Sequence, residues 1–161
     1  MSNSRIITGM NPSNHSKLLG SCPPLNDLIA AILKASPNVH YMRDATRGGL
    51  GAILAEIAKS AKVCINISER DILVQENVRG VCEILGLDPL FLANEGKMVL
   101  FCPAADAQII LSAMKSHKYG KNAAIIGSVG DIGKGRVILK TIIGGERIVD
   151  LPTRKLVPRI C

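Results

Sequence analysis

Three short stretches of this chain combine residue types and spacing that can do chemistry. Asp44-Ala45-Thr46-Arg47-Gly48-Gly49 leads into an apolar run that begins at Leu50 and has helical spacing. A helix N-terminus exposes unpaired N–H groups and the positive end of the macrodipole, so anions bind there. Gly48 and Gly49 permit close backbone approach, Arg47 offers a two-pronged guanidinium, and Asp44 can hold a metal or orient Arg47. The same residues have a structural reading, in which Asp44 or Thr46 is the helix N-cap and the glycines let helix and sheet pack tightly. Spacing leaves both readings open. A Walker loop is excluded, because GxxxxGK[ST] does not occur.

The second stretch is Asn94-Glu95-Gly96-Lys97, just ahead of the apolar run Met98–Cys102. A carboxylate beside Gly at a strand edge can reach a substrate as a general base, although most such glutamates are exposed turn residues. The third is Cys161, behind Val157-Pro158-Arg159-Ile160. A thiol at the end of an arm has reach, and Arg159 favours its thiolate while the adjacent carboxylate opposes it. Its position rules out prenylation, which needs the cysteine four residues from the end. The alternative reading makes Cys161 incidental. Cys64, Cys82 and Cys102 sit in apolar runs and read as buried free thiols. Neither the five cysteines nor His15, His40 and His117 have metal-ligand spacing, so no metal site is expected from them.

Elements must exist to position these groups. Periodicity predicts helices over 25–35, 46–61, 76–85 and 104–117, and strands over 39–42, 63–67, 97–102, 123–129 and 137–142. Gly133-Lys134-Gly135 has the chemistry of a hairpin turn joining the last two strands. Strands and helices alternate, which predicts an α/β (α+β) domain with a mixed sheet and helices mainly on one face. Residues 1–22 are rich in Ser and Asn and read as a disordered or vector-derived segment outside the packed domain, which spans 23–150. Residues 151–161, with two prolines and three basic side chains, read as a mobile tail.

The 161 residues are 47% hydrophobic, enough for one packed core, yet include only two Phe, two Tyr and no Trp. A core of Ile, Leu, Val, Ala and Met excludes an aromatic stacking platform for single-stranded nucleic acid. The net charge of +7 is spread out except in the last thirty residues and accompanies no nucleic-acid motif. It reads as a solvated basic face, or as attraction to a phosphorylated ligand or acidic partner. No run suits a membrane span or secretory leader, and the odd cysteine count suits a reducing compartment, so a cytoplasmic protein is expected.

MRDATRGGL (42–50), GLDPLFLANEGK (86–97) and the terminal PRIC (158–161) resemble the C-terminal domain of the hydrogenase maturation factor HypE, with IIGSVG (125–130) and IIGGERIVDLP (142–152) fitting the same pattern. The resemblance covers roughly residues 22–161. DxTRGG is shared across the aminoimidazole ribonucleotide synthetase-like superfamily, which includes selenophosphate synthetase and thiamine monophosphate kinase. The terminal PRIC is the specific element. The resemblance implies a fold like the aminoimidazole ribonucleotide synthetase C-terminal domain and a role in [NiFe] hydrogenase maturation. It implies ATP and Mg²⁺ bound largely by an N-terminal domain, which also forms a homodimer. It makes Cys161 the acceptor of a carbamoyl group from the carbamoyltransferase HypF. ATP-dependent dehydration then leaves a thiocyanate whose cyano group passes to iron on the HypC–HypD complex. Glu95 becomes the candidate base, and Asp44, Thr46, Arg47, Gly48, Gly49 and Asn94 the candidate nucleotide-facing set. With most of the nucleotide site expected outside this chain, it is expected not to dehydrate its tail alone. Competing expectations are the C-terminal domain of a sister such as selenophosphate synthetase, a non-catalytic carrier or interaction module, and, last, a basic nucleic-acid-binding domain.

Overall fold

The computed structural model describes residues 4–10, 25–94, 96–130 and 135–151. Among them run β1 (Ser4–Met10), α1 (Asn26–Ala35), β2 (Tyr41–Asp44), α2 (Gly49–Ala61), β3 (Cys64–Ser68), α3 (Glu76–Leu85), β4 (Lys97–Pro103), α4 (Ala107–Ser116), β5 (Ala124–Gly130), β6 (Arg136–Lys140) and β7 (Glu146–Val149). The strands form one sheet in the order β2-β4-β1-β5-β3-β6-β7. Only β3 and β6 pair in parallel, so the sheet is mixed as expected.

Three sequence expectations change. Ser4–Met10, read as part of a segment outside the domain, is a central strand that pairs with β4 on one side and β5 on the other. Ile6 and Ile7 are both fully buried, on opposite faces, and burying such a side chain contributes about 1.5–3 kcal/mol. The strand is short and set among Ser and Asn, so local pattern hides what pairing on both sides enforces. Secondly, β5 and β6 do not form a hairpin. β3 lies between them, and β6 instead turns back on β7, with Lys140 opposite Glu146.

Thirdly, helices cover both faces rather than mainly one. Alternate residues of β4 serve two clusters, Val99 and Phe101 joining one, Met98, Leu100 and Cys102 the other. α2 supplies Leu50, Leu54 and Ala58 to the first, and α1 and α4 supply Leu28, Ile32, Ile110 and Met114 to the second. A strand that is apolar on both faces needs cover on both, and KMVLFC is such a strand.

The helix ends follow local chemistry. α3 stops at Gly86, whose φ of 65° suits glycine, and the Leu87 N–H closes the end on the Cys82 carbonyl at 2.8 Å. Beyond β7, Asp150 pairs with Lys59 near the C-terminal end of α2 at 2.7 Å, and Leu151 packs against the first cluster.

Candidate functional site

The two loop motifs meet at one end of the sheet. β2 lies antiparallel to β4 with Asp44 opposite Met98, and the ladder continues one step past it. The Ala45 N–H donates to the Lys97 carbonyl at 2.8 Å, and the Asn94 N–H donates to the Ala45 carbonyl at 3.0 Å. Ala45, wholly buried, therefore fastens the DATRGG segment to both flanks of residue 95. Separate turns some fifty residues apart become one surface because an antiparallel ladder needs a partner at each step.

From this point the chain bends into α2. Gly48 is the N-cap, at φ 67°, and no side chain caps the helix, so neither Asp44 nor Thr46 serves as N-cap. Gly49 follows at φ 65°, and a Cβ there would overlap the Leu90 and Leu92 carbonyl oxygens. At Gly51 a Cβ would press on the Phe91 ring at 2.9 Å. The helix thus lies directly on the 3-10 turn Pro89–Phe91. Asp88 holds that turn, one carboxylate oxygen accepting the Leu90 N–H at 3.0 Å and the other pairing with Arg147 at 2.7 Å. The packing reading of the glycines is realised, while the uncapped first turn still presents the positive end of the helix.

Around this junction Asp44 and Arg47 are exposed, Thr46 and Asn94 half-buried, and Gly49 buried. No hydrogen bond or ion pair within the described residues joins the Asp44 and Arg47 side chains. Glu95 and Cys161 lie outside the described residues. Among the described residues no three His, Cys, Asp or Glu side chains cluster to hold a metal. Asp44 is the one acidic side chain of the loop available to help coordinate a nucleotide-bound cation.

Sequence reasoning passed over Lys97. It is 9% exposed, and burial pushes its ammonium pKa down. Its place at the head of an otherwise apolar strand is the available signal, since lysine is rarely buried. Of the described cysteines, Cys82 and Cys102 are buried free thiols as expected, whereas Cys64, on a strand, is only half-buried. Cys102 is fully buried, with burial, then nearby Asp106, pushing its thiol up to about 11, so it is no nucleophile at neutral pH. No helix among the described residues is long and apolar enough to cross a membrane.

Comparison with known proteins extends this picture. Carbamoyl dehydratase HypE of Azotobacter vinelandii is 47% identical over 137 residues, which make up 85% of this chain and 40% of that protein. The chain thus spans about two-fifths of the length of such curated relatives. A crystal structure of hydrogenase maturation protein HypE in complex with ATP superposes with a TM-score of 0.87 at 31% identity, covering 100% of this chain and 53% of that one. A crystal structure of a HypE–HypF complex matches with a TM-score of 0.81 at 37% identity, over 94% of this chain and 54% of that one. The family model for the AIR synthase related protein C-terminal domain matches residues 2–140, taking in β1 and both loops. With that match over most of its length, the chain belongs to the AIR synthase related protein family, as its C-terminal domain.

Proposed function

We propose that this chain is the thiol-bearing part of an ATP-dependent carbamoyl dehydratase that makes the cyanide ligands of [NiFe] hydrogenase. The observation that carries the reading is the Ala45 fastening, which holds an uncapped, glycine-opened helix N-terminus to Asn94 and Lys97, the residues on either side of the candidate base. An enzyme that must hold a nucleotide's phosphates next to a base needs that juxtaposition. Similarity to the carbamoyl dehydratases and to an ATP-bound HypE supports the same assignment.

In this reading the Cys161 thiolate accepts a carbamoyl group from HypF, giving the thiocarbamate S–C(=O)–NH₂. The carbamoyl oxygen is a poor leaving group. ATP transfers its γ-phosphoryl to that oxygen, releasing ADP, as one N–H proton is lost. Loss of the second proton with cleavage of the C–O bond releases phosphate and leaves S–C≡N. Glu95 is the group to take a nitrogen-bound proton. Arg47 and the amides after Gly48 would bind phosphate oxygens, with Thr46 and Asn94 at the rim and Asp44 toward Mg²⁺. Most of the nucleotide site, and the homodimer contact, would be supplied by an N-terminal domain such as the longer relatives have room for. Delivery of the cyano group to a HypC–HypD complex completes the reading, which places the protein in the cytoplasm.

Intact mass after incubation with HypF, carbamoyl phosphate and ATP tests it. A single carbamoyl increment is expected on the native chain and none on Cys161→Ala. Equal labelling of the two chains would overturn the assignment and favour a sister family without a terminal nucleophile.

A further inference from the structure

We propose that the domain carries a separate small-molecule site, a cavity of about 400 Å³ between α2 and the sheet, suited to a flat apolar molecule bearing a neutral amide or ureido group. Its volume falls in the range of pockets that take up small ligands. It runs along α2 away from the helix N-terminus: its near end is Arg43, which adjoins Asp44 and pairs with Val99, and Glu56, seven residues past Gly49. Ser4 and His40, two of its lining residues, lie at the Pro103 end of β4, since Ser4 pairs with Pro103 and the His40 N–H bonds the Phe101 carbonyl. The loops lie at the Lys97 end, six residue steps from this far end of the cavity, which is about 20 Å.

The interior is apolar and partly aromatic. Phe101, Val129 and Ile57 line it, and Tyr41 stands edge-on to Phe101 at 6.1 Å with an interplanar angle of 75°. Tyr41 is 40% exposed, so part of its surface stays open to a planar guest. Beside it, two residues along the same face of β2, Arg43 donates to Glu56 at 2.6 Å and also engages the Tyr41 side chain. A guanidinium has five N–H donors and a carboxylate several lone pairs, so these two contacts still leave donors and acceptors in excess, side by side. A carboxamide offers the complementary edge, an oxygen acceptor next to N–H donors.

Charge selects further. Arg43 and Glu56 cancel, and among the described residues no other carboxylate or ammonium lines the cavity. An anionic guest would meet Glu56 and a cationic one Arg43, each at a Coulombic cost that a neutral amide avoids. His40 adds a hydrogen-bonding edge, with Nδ1 engaged by the Ser4 hydroxyl at 3.3 Å and Nε2 as its other polar atom. The proposed dehydration uses none of these groups.

The test is NMR titration of the ¹⁵N-labelled chain with benzamide and with benzoate, following the amides of Tyr41, Glu56 and Ser60. Benzamide should produce saturable shifts confined to the cavity lining and should bind about tenfold more tightly than benzoate, a difference of about 1.4 kcal/mol. Glu56→Gln removes the negative member of the pair and should invert the preference toward benzoate. Ser60→Leu, at an exposed lining position, should abolish binding of both while leaving the spectrum otherwise folded. Absence of benzamide shifts at these residues, indifference to Ser60→Leu, or an unchanged ranking in Glu56→Gln would each overturn the proposal.

Discussion

Gly49 and Gly80 both lie within helices, yet their surroundings make opposite demands. Gly49 has φ 65° and faces the carbonyl oxygens of Leu90 and Leu92, whereas nothing lies within 4 Å of a Cβ built on Gly80. Gly49→Ala should cost about 2–4 kcal/mol, as strain in the left-handed region adds to a backbone overlap. Gly80→Ala should stabilise by about 0.5–1 kcal/mol, through helix propensity alone. Urea midpoints of the two variants check both signs, and a similar shift in each would refute the packing account. The sequence left the glycine doublet poised between anion binding and tight packing. Only the through-space approach of a 3-10 turn more than forty residues away selects packing, and no local pattern encodes that approach. Lys97 escaped notice for the converse reason: its burial follows from the strand it heads, not from its own type.

At the scale of elements, the sheet's centre was the hardest part to read. β1 pairs on both sides and contributes Ile6 to one cluster and Ile7 to the other. Ile7→Ala should therefore cost about 2–5 kcal/mol, as truncation of a buried aliphatic leaves a cavity. A thermal or urea melt close to that of the native chain would mean that β1 is dispensable. Most helices and strands were legible from periodicity, and α3 begins at Glu76 and ends at Leu85 as expected, because Gly86 supplies its own stop signal. The hairpin expected at Gly133-Lys134-Gly135 failed for a topological reason. A turn-forming sequence permits a reversal but does not decide which strand comes to lie alongside, and here β3 takes the place between β5 and β6. The continuous apolar run of β4 was visible, but the two clusters its faces serve show only once the helices are placed against them.

For the whole molecule, the two loops most informative in sequence are those the fold brings together, while the two residues assigned the chemistry, Glu95 and Cys161, rest on resemblance. A division of labour follows. The chain alone should show no ATP turnover, because in the proposed reading most of the nucleotide site belongs to an N-terminal domain and the helix end at Gly48 supplies only part of it. Supplied with the nucleotide-binding part of a longer relative, the native chain should form thiocyanate. Glu95→Gln should still accept the carbamoyl group but make thiocyanate about 10²–10⁴-fold more slowly, the usual loss for a general base. Mass spectrometry separates the two adducts, and a Glu95→Gln chain that dehydrates at the native rate would remove Glu95 from the mechanism.

The Lys59–Asp150 pair also fixes a starting point on the molecule. Gly49 lies ten helical residues from Lys59, about 15 Å along the axis. If Cys161 is the acceptor, as proposed, ten residues separate it from Leu151, a contour length of at most about 33 Å, which exceeds that distance. Delivery within one molecule would then need no affinity between thiol and loop, only chain of sufficient length, and the protein concentration would drop out of the rate.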